Sequence, residues 1–107
     1  MHTPDSWVII KIDNPEYDKP YYKVLGGWSG GYLDGDSWRM NSGITKIDRE
    51  GDFYLFNGLS GSVYKCHKNA ETMRMSQAGI WNSLKEKYNE SVEIIKVTDI
   101  NNEELGL

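Results

Sequence analysis

The glycine-rich stretch at residues 26–38, GGWSGGYLDGDSW, constrains the fold more than any other part of the sequence. It places five glycines among three large aromatic residues, two serines and two aspartates. Glycine loses more conformational entropy on folding than any other residue and costs about 1 kcal/mol in a helix interior. The stretch is therefore predicted to be a long, glycine-hinged connection between two strands.

Short apolar runs separated by turn residues predict that most of the chain is β-structure. Residues 7–12 (WVIIKI) and 92–97 (VEIIKV) are rich in β-branched residues, and both are expected to be central strands that pair. An antiparallel meander is expected over residues 38–67, with one turn at residues 48–51 and a type I′ turn at Asn57-Gly58. Other strands are predicted at residues 21–25, 38–41, 44–47, 53–56 and 62–67.

Apolar residues recur at helical spacing after residue 68 and predict one helix. The start of this helix stays open, because Asn69 could cap a long helix and Ser76 a shorter one, whereas Asn89 is a plausible stop. Gly79 in the helix interior predicts close packing of that turn on the sheet. The apolar stripe of the helix consists of Met73, Ile80, Trp81, Leu84 and Tyr88.

These elements predict an α+β fold in a single domain of 107 residues. Its mostly antiparallel sheet, or small barrel, has five to seven strands and carries one helix near the C-terminus. The net charge of −4 argues against a domain that binds nucleic acid mainly by neutralising phosphates. A solvated surface is expected for the local basic group formed by Lys65, His67, Lys68 and Arg74.

Cellular location is read from the single cysteine and the N-terminal sequence. Cys66 excludes an intramolecular disulfide, and the first residues show no signal-peptide pattern, so a cytoplasmic protein is expected. The longest apolar run, residues 7–10, is too short to span a membrane. No membrane contact and no cofactor are therefore predicted.

Three chemical motifs are tested and rejected. Ser29 fits the G-x-S-x-G pattern of serine hydrolases, but the glycines that follow it disfavour the helix that a nucleophile elbow requires. Cys66 and His67 are neighbours on a predicted strand, so their side chains point to opposite faces and cannot form a catalytic pair. One cysteine and two histidines do not make a zinc set, and the region around Asp34 lacks the EF-hand spacing. No catalytic or metal-binding residue is predicted.

A recognition surface is the remaining interpretation of the glycine-rich stretch, because tyrosine, tryptophan, serine and glycine are favoured in binding loops. Trp38 is expected to pack in the core and Tyr32 to be exposed. A protein partner is predicted first, and a nucleotide or single-stranded nucleic acid stacked on the aromatic rings is the alternative. A second copy of the chain is also a possible partner. The predicted binding residues are Trp28, Ser29, Tyr32, Asp34 and Asp36.

Two segments resemble small accessory proteins encoded by large tailed bacteriophages. They are residues 21–44, YYKVLGGWSGGYLDGDSWRMNSGI, and residues 60–68, SGSVYKCHK, together about a third of the chain. The resemblance implies a phage accessory protein that acts in the bacterial cytoplasm and binds a host or phage protein. It implies no catalytic residues, so a non-enzymatic function is expected.

Overall fold

The computed structural model describes residues 1–13, 16, 19–31 and 35–100, with the backbone alone at positions 29–31, 35 and 36. These residues form seven strands and one α-helix near the C-terminus, which confirms the predicted α+β class. Short 3₁₀ turns lie at Lys68–Ala70, Asn89–Ser91 and Val97–Asp99. The strands are β1 Ser6–Ile12, β2 Tyr21–Gly31, β3 Gly35–Met40, β4 Ile44–Glu50, β5 Phe53–Gly58, β6 Val63–His67 and β7 Val92–Ile95, and the helix is α1 Met75–Tyr88.

The strands form two separate antiparallel sheets and do not close into a barrel. One sheet has the order β3-β2-β1-β7, and the other is the meander β4-β5-β6. The predicted pairing of the first and last strands is confirmed, with Ile10 opposite Ile94 and Ile9 opposite Ile95. The prediction that both are central strands is wrong for the last strand, because β7 is at the edge of its sheet and β1 lies inside it, between β2 and β7. No helix in the described ranges is long and apolar enough to cross a membrane.

Strand β1 contains an unbroken apolar run at residues 7–10 because both faces of the strand are covered there. Trp7 and Ile9 pack towards the three-stranded sheet, with Phe56 and Tyr64 among their neighbours. Val8 and Ile10 belong to a second cluster, on the helix side of the sheet. Alternate residues of a strand point to opposite faces, so one continuous apolar run serves two cores. The molecule therefore has three layers: the helix, the four-stranded sheet and the three-stranded sheet.

The glycine-rich stretch is a β-hairpin, and the prediction of a long connection across it is wrong for residues 26–31. Those residues continue β2, and β3 pairs back on them with Gly27 opposite Trp38. The meander begins at Ile44, because the strand that contains Trp38 belongs to the other sheet. Residues 32–34, which join the two strands, lie outside the described ranges.

Two of the glycines in β2 are explained by close packing on opposite faces of the sheet. A Cβ at Gly27 would lie 2.8 Å from Gln77 Oε1 and would collide with the hydroxyl of Ser76, so the start of the helix rests on bare backbone there. A Cβ at Gly26 would lie 3.0 Å from Pro4 Cβ, on the N-terminal segment. These glycines allow close approach within a strand, where the sequence pattern alone indicated a flexible hinge.

Both turns of the meander are displaced from their predicted positions. Asn57-Gly58 continues β5, because Asn57 pairs with Val63 and its side-chain amide donates to the carbonyl of Lys46 on β4 at 3.4 Å. The loop that follows is residues 59–61, and Gly61 takes a φ of +88°. The other turn lies at Gly51-Asp52, where Gly51 has a φ of +59°. In each case, glycine occupies the position that needs positive φ.

The helix is close to the shorter of the two predicted versions, since it begins at Met75. Neither predicted cap is correct, because Arg74 is the N-cap residue and Ser76 lies in the first turn. Asn89 follows the last turn, as predicted. Its apolar stripe packs on the sheet, except that Tyr88 is 46% exposed. The prediction for Gly79 is wrong, because this glycine is exposed and a Cβ there would meet nothing within 4 Å. The close approach of helix and sheet occurs at Gly27 instead.

Candidate functional site

Two shallow clefts meet beside the β2–β3 hairpin and share His2 and Arg39. The aromatic cleft has a volume of about 350 Å³ and is lined by Met1, His2, Thr3, Trp28, Ser37, Trp38 and Arg39. The serine cleft has a volume of about 360 Å³ and is lined by His2, Arg39, Met40, Asn41, Ser42, Ser60, Ser62 and Tyr64. The first contains one of the predicted binding residues, and the second contains none.

The N-terminal segment is held against the edge of the meander and forms a common wall of both clefts. The backbone amide of His2 donates to the carbonyl of Val63 at 2.9 Å, and the amide of Lys65 donates to the carbonyl of His2 at 2.7 Å. The His2 ring lies 4.7 Å from the ring of Tyr64, centre to centre. Burial, together with the nearby guanidinium of Arg39, lowers the pKa of His2, so its imidazole is neutral at pH 7.

Trp28 is half-buried and fixed in place. Its indole N–H donates to the carbonyl of Thr3 at 3.1 Å, and its ring meets the His2 ring edge-on at 6.4 Å. It also packs against the core between the sheets. The prediction left open whether Trp28 faces solvent or the core. In the structure Trp28 does both, because it lines the aromatic cleft and also packs against the core.

Trp38 is exposed, which makes the prediction of a core position wrong. It is 46% accessible on edge strand β3, between the exposed residues Ser37 and Arg39. Opposed residues of an antiparallel pair share a face, so Trp38 lies on the helix side with Gly27. Trp28 lies on the other side, with Ser37. The two side chains therefore leave the hairpin on opposite faces, although both residues border the aromatic cleft at the edge of the sheet.

The remaining predicted binding residues are only partly described. Ser29 lies inside β2, and the chain continues in this strand to Gly31, so a strand-turn-helix elbow is not formed there. Asp36 lies in β3, with its backbone alone described. Tyr32 and Asp34 lie outside the described residues. Trp28 lies beside a cleft. Its role in binding, and a grouping of all five residues, stay predictions.

Cys66 and His67 point to opposite faces of β6, as predicted. Cys66 is fully buried in the core between the sheets, and burial raises the pKa of its thiol, so the thiol stays protonated at neutral pH. His67 is half-buried, its Nδ1 accepts from the backbone amide of Asn69 at 3.0 Å, and its ring packs edge-on against Phe53. The packing role predicted for the cysteine is confirmed.

The basic group on β6 and the turn after it is largely neutralised by neighbouring carboxylates. Lys65 and Lys68 each form an ion pair at 3.3 Å, with Glu50 and Asp52 respectively. By contrast, Arg39 forms no ion pair with any carboxylate whose position is described. Among the same residues, no cluster of three histidine, cysteine or acidic side chains could hold a metal ion.

Sequence reasoning missed the polar residues of the serine cleft, because they come from segments that are distant in sequence and that only the fold brings together. A scan of family models and searches of curated proteins and of solved structures each find no match.

Proposed function

We propose that the chain is a non-enzymatic binding protein that contacts another protein along the outer edge of β3. The observation that carries the proposal is the run Ser37-Trp38-Arg39, three consecutive exposed residues on an edge strand. Tryptophan and arginine are enriched among the residues that dominate binding energy at protein interfaces. The outer backbone groups of an edge strand can also pair with an extended segment of a partner.

The two faces of the hairpin have different roles in this proposal. Trp38 is the exposed anchor on the helix side, and Arg39 supplies a positive charge on the side of the clefts. Trp28 supports the hairpin from beneath through its hydrogen bond to Thr3 and its core contacts. A rigid strand that presents an aromatic ring loses little entropy on binding.

The resemblance to phage accessory proteins supports a host or phage protein as the partner and the bacterial cytoplasm as the compartment. Two features favour binding over catalysis: the buried, protonated thiol of Cys66 and the position of Ser29 within a strand. A second copy of the chain is a partner of the same class, and gel filtration distinguishes it from a different protein.

Photo-crosslinking from single positions tests the proposed contact. Benzoylphenylalanine is placed at position 38, and the matched control carries it at position 88, where Tyr88 has the same exposure of 46% on the far end of the helix. Position 38 is expected to give one crosslinked protein from a bacterial host lysate, and an excess of unlabelled chain should compete with it. Equal labelling from both positions, or labelling that the unlabelled chain does not reduce, would contradict the proposal.

Stacking of a nucleotide or single-stranded nucleic acid is the second candidate, favoured by the half-exposed indole of Trp38. The register weakens it, because Trp28 stands on the other face and its ring is held by Thr3 and His2. Titration of tryptophan fluorescence with mononucleotides and oligonucleotides decides between the two. Saturable quenching that disappears in Trp38→Leu would favour the nucleotide, and an unchanged spectrum would favour the protein partner.

A further inference from the structure

The side-chain amide of Asn41, at the serine cleft, is buried and has an NH₂ group without a described hydrogen-bond partner. Asn41 is 3% exposed, and its Nδ2 has no hydrogen-bond partner among the described residues. The orientation of the amide is fixed, because Oδ1 accepts the backbone N–H of Val24 at 2.8 Å. Nδ2 can therefore only donate, and a buried donor without an acceptor is costly.

The other groups around this cleft also donate. Ser37 and Arg39 alternate on the face of β3 that carries the clefts, and Asn41 follows at the same spacing just after the strand ends. The guanidinium of Arg39 has five N–H donors and no described carboxylate partner. Among the residues that the structure describes, no aspartate or glutamate lines the serine cleft.

Three serine hydroxyls form a chain along one wall of the cleft. Ser42 Oγ donates to Ser60 Oγ at 3.1 Å and accepts from the backbone amide of Ser60 at 3.0 Å. Ser60 Oγ and Ser62 Oγ lie 3.3 Å apart. Whichever of these two hydroxyls donates to the other, one hydroxyl proton of the pair remains free to donate to a ligand.

We propose that the serine cleft binds an oxyanion, with Arg39, Asn41 Nδ2 and the serine hydroxyls as its donors. A phosphoryl group or a carboxylate supplies acceptor lone pairs for these donors, and arginine binds either one with two parallel hydrogen bonds. Burial raises the pKa of Tyr64 at the base of the cleft, so its hydroxyl stays neutral and adds no negative charge. This ion site is separate from the proposed protein contact on the outer edge of β3, and a free ion without any partner protein is enough to test it.

The test is an NMR titration of the ¹⁵N-labelled full chain with inorganic phosphate and, separately, with acetate. Chloride keeps the ionic strength constant, so that screening does not change. The side-chain amide signals of Asn41 and the backbone signals of residues 39–42 and 60–62 are expected to shift in a saturable way. Saturation with phosphate alone assigns the site to a phosphoryl group, and saturation with acetate as well assigns it to acidic side chains too. Failure of both ions to saturate overturns the proposal.

Two surface variants and a matched control make the result specific. Arg39→Gln removes the guanidinium from an exposed position, and binding of the saturating ion is expected to weaken at least about tenfold. Ser60→Ala, also at an exposed position, should weaken it less. Arg49→Gln removes an exposed arginine from the other sheet, where the guanidinium lies over the Tyr54 ring, and should leave affinity unchanged. Equal affinity in the wild type and in Arg39→Gln would overturn the assignment.

The outcome does not depend on the crosslinking experiment at position 38. Loss of ion binding in Arg39→Gln, together with no specific crosslink, would retain the oxyanion site and remove the proposed protein contact. A specific crosslink that Arg39→Gln leaves intact, together with no ion binding in any variant, would retain the proposed protein contact and remove the oxyanion site.

Discussion

Gln77 shows how a single polar residue can hold two elements together. It is fully buried, its Nε2 donates to the carbonyl of Leu25 at 3.0 Å, and its Oε1 accepts from Ser6 Oγ at 2.7 Å and from the amide of Arg74 at 2.9 Å. The helix start is thus tied to β1, to β2 and to its own first turn. Gln77 precedes Ile80 by three residues and Trp81 by four, so it lies on the face of the helix that packs on the sheet.

Replacing Gln77 with leucine should destabilise the fold by about 2–4 kcal/mol, because the Ser6 hydroxyl and the Arg74 amide lose their acceptor. Urea unfolding followed by circular dichroism measures the change. Asn82→Leu puts the same side chain on the exposed face of the helix, and a change within about 0.5 kcal/mol is expected there. A loss below about 0.5 kcal/mol for Gln77→Leu would show that the network contributes little.

His2 makes stability depend on pH in a defined direction. Burial and the Arg39 guanidinium lower its pKa from 6.5, and the amino group of Met1 acts in the same sense. The unfolded chain therefore binds the proton more tightly than the folded chain does. The contribution of neutral His2 to the free energy of unfolding is fully present above about pH 6.5, and it is lost as the pH falls towards the pKa of the folded chain.

The wild type should accordingly lose more unfolding free energy than His2→Gln between pH 7.5 and pH 5, measured by urea denaturation at closely spaced pH values. Taking the difference between the two proteins removes the titration of the carboxylates that they share. Parallel curves would contradict a lowered pKa.

Protonation of His2 should also affect the serine cleft, which His2 lines together with Arg39 and Tyr64. Sulfate does not titrate in this pH range, so its affinity for the cleft should increase as His2 becomes positively charged.

At the scale of the elements, the sequence predicted what local pattern determines. Strand β1 contains the predicted apolar run, and the helix ends at Tyr88, just before the predicted stop at Asn89. The hairpin of β2 and β3 was missed because glycine reads as a turn signal, while here it marks close packing inside a strand. Trp38 was assigned to the core for a different reason, because only the order of the strands shows that β3 is an edge strand. The serine cleft joins residues about twenty positions apart, which spacing alone does not reveal.

Replacing Gly27 or Gly79 with alanine should change the free energy of unfolding in opposite directions, because a Cβ would meet buried side-chain atoms at Gly27 and open space at Gly79. Gly27→Ala places a Cβ 2.8 Å from Gln77 Oε1, against a fully buried side chain that cannot move away, and should destabilise by about 1–3 kcal/mol. Gly79→Ala meets nothing within 4 Å in an exposed helix turn and should stabilise by about 0.5–1 kcal/mol.

The two glycine variants serve as controls for each other in thermal or urea unfolding. A stabilising effect at position 27 would mean that helix and sheet can move apart there. A destabilising effect at position 79 would mean that a side chain at this position makes contacts that the structure does not show.

For the whole molecule, the decisive feature is that strand β1 contributes to both cores, as its neighbours β2 and β7 also do. Trp7 and Ile9 lie in the layer between the sheets, and Val8 and Ile10 lie in the layer under the helix. Trp7 also donates its indole N–H to the carbonyl of His67 at the end of the meander, at 2.8 Å. Neither layer can lose its packing without exposing one face of β1. The helix and the three-stranded sheet are therefore expected to unfold in a single transition, although they lie on opposite sides of the central sheet.

The chain has only two phenylalanines, Phe53 and Phe56, both on β5, so fluorine-labelled phenylalanine reports on the meander. Circular dichroism at 222 nm reports chiefly on the helix. The two probes should give the same urea midpoint, and Leu84→Ala, which removes a contact under the helix, should lower both midpoints equally. Loss of the helix signal at a lower urea concentration than the Phe56 resonance would show that the helix layer unfolds separately. In that case the Gln77 network and the bare backbone at Gly27 would join the helix to β2 too weakly to make the three layers cooperative.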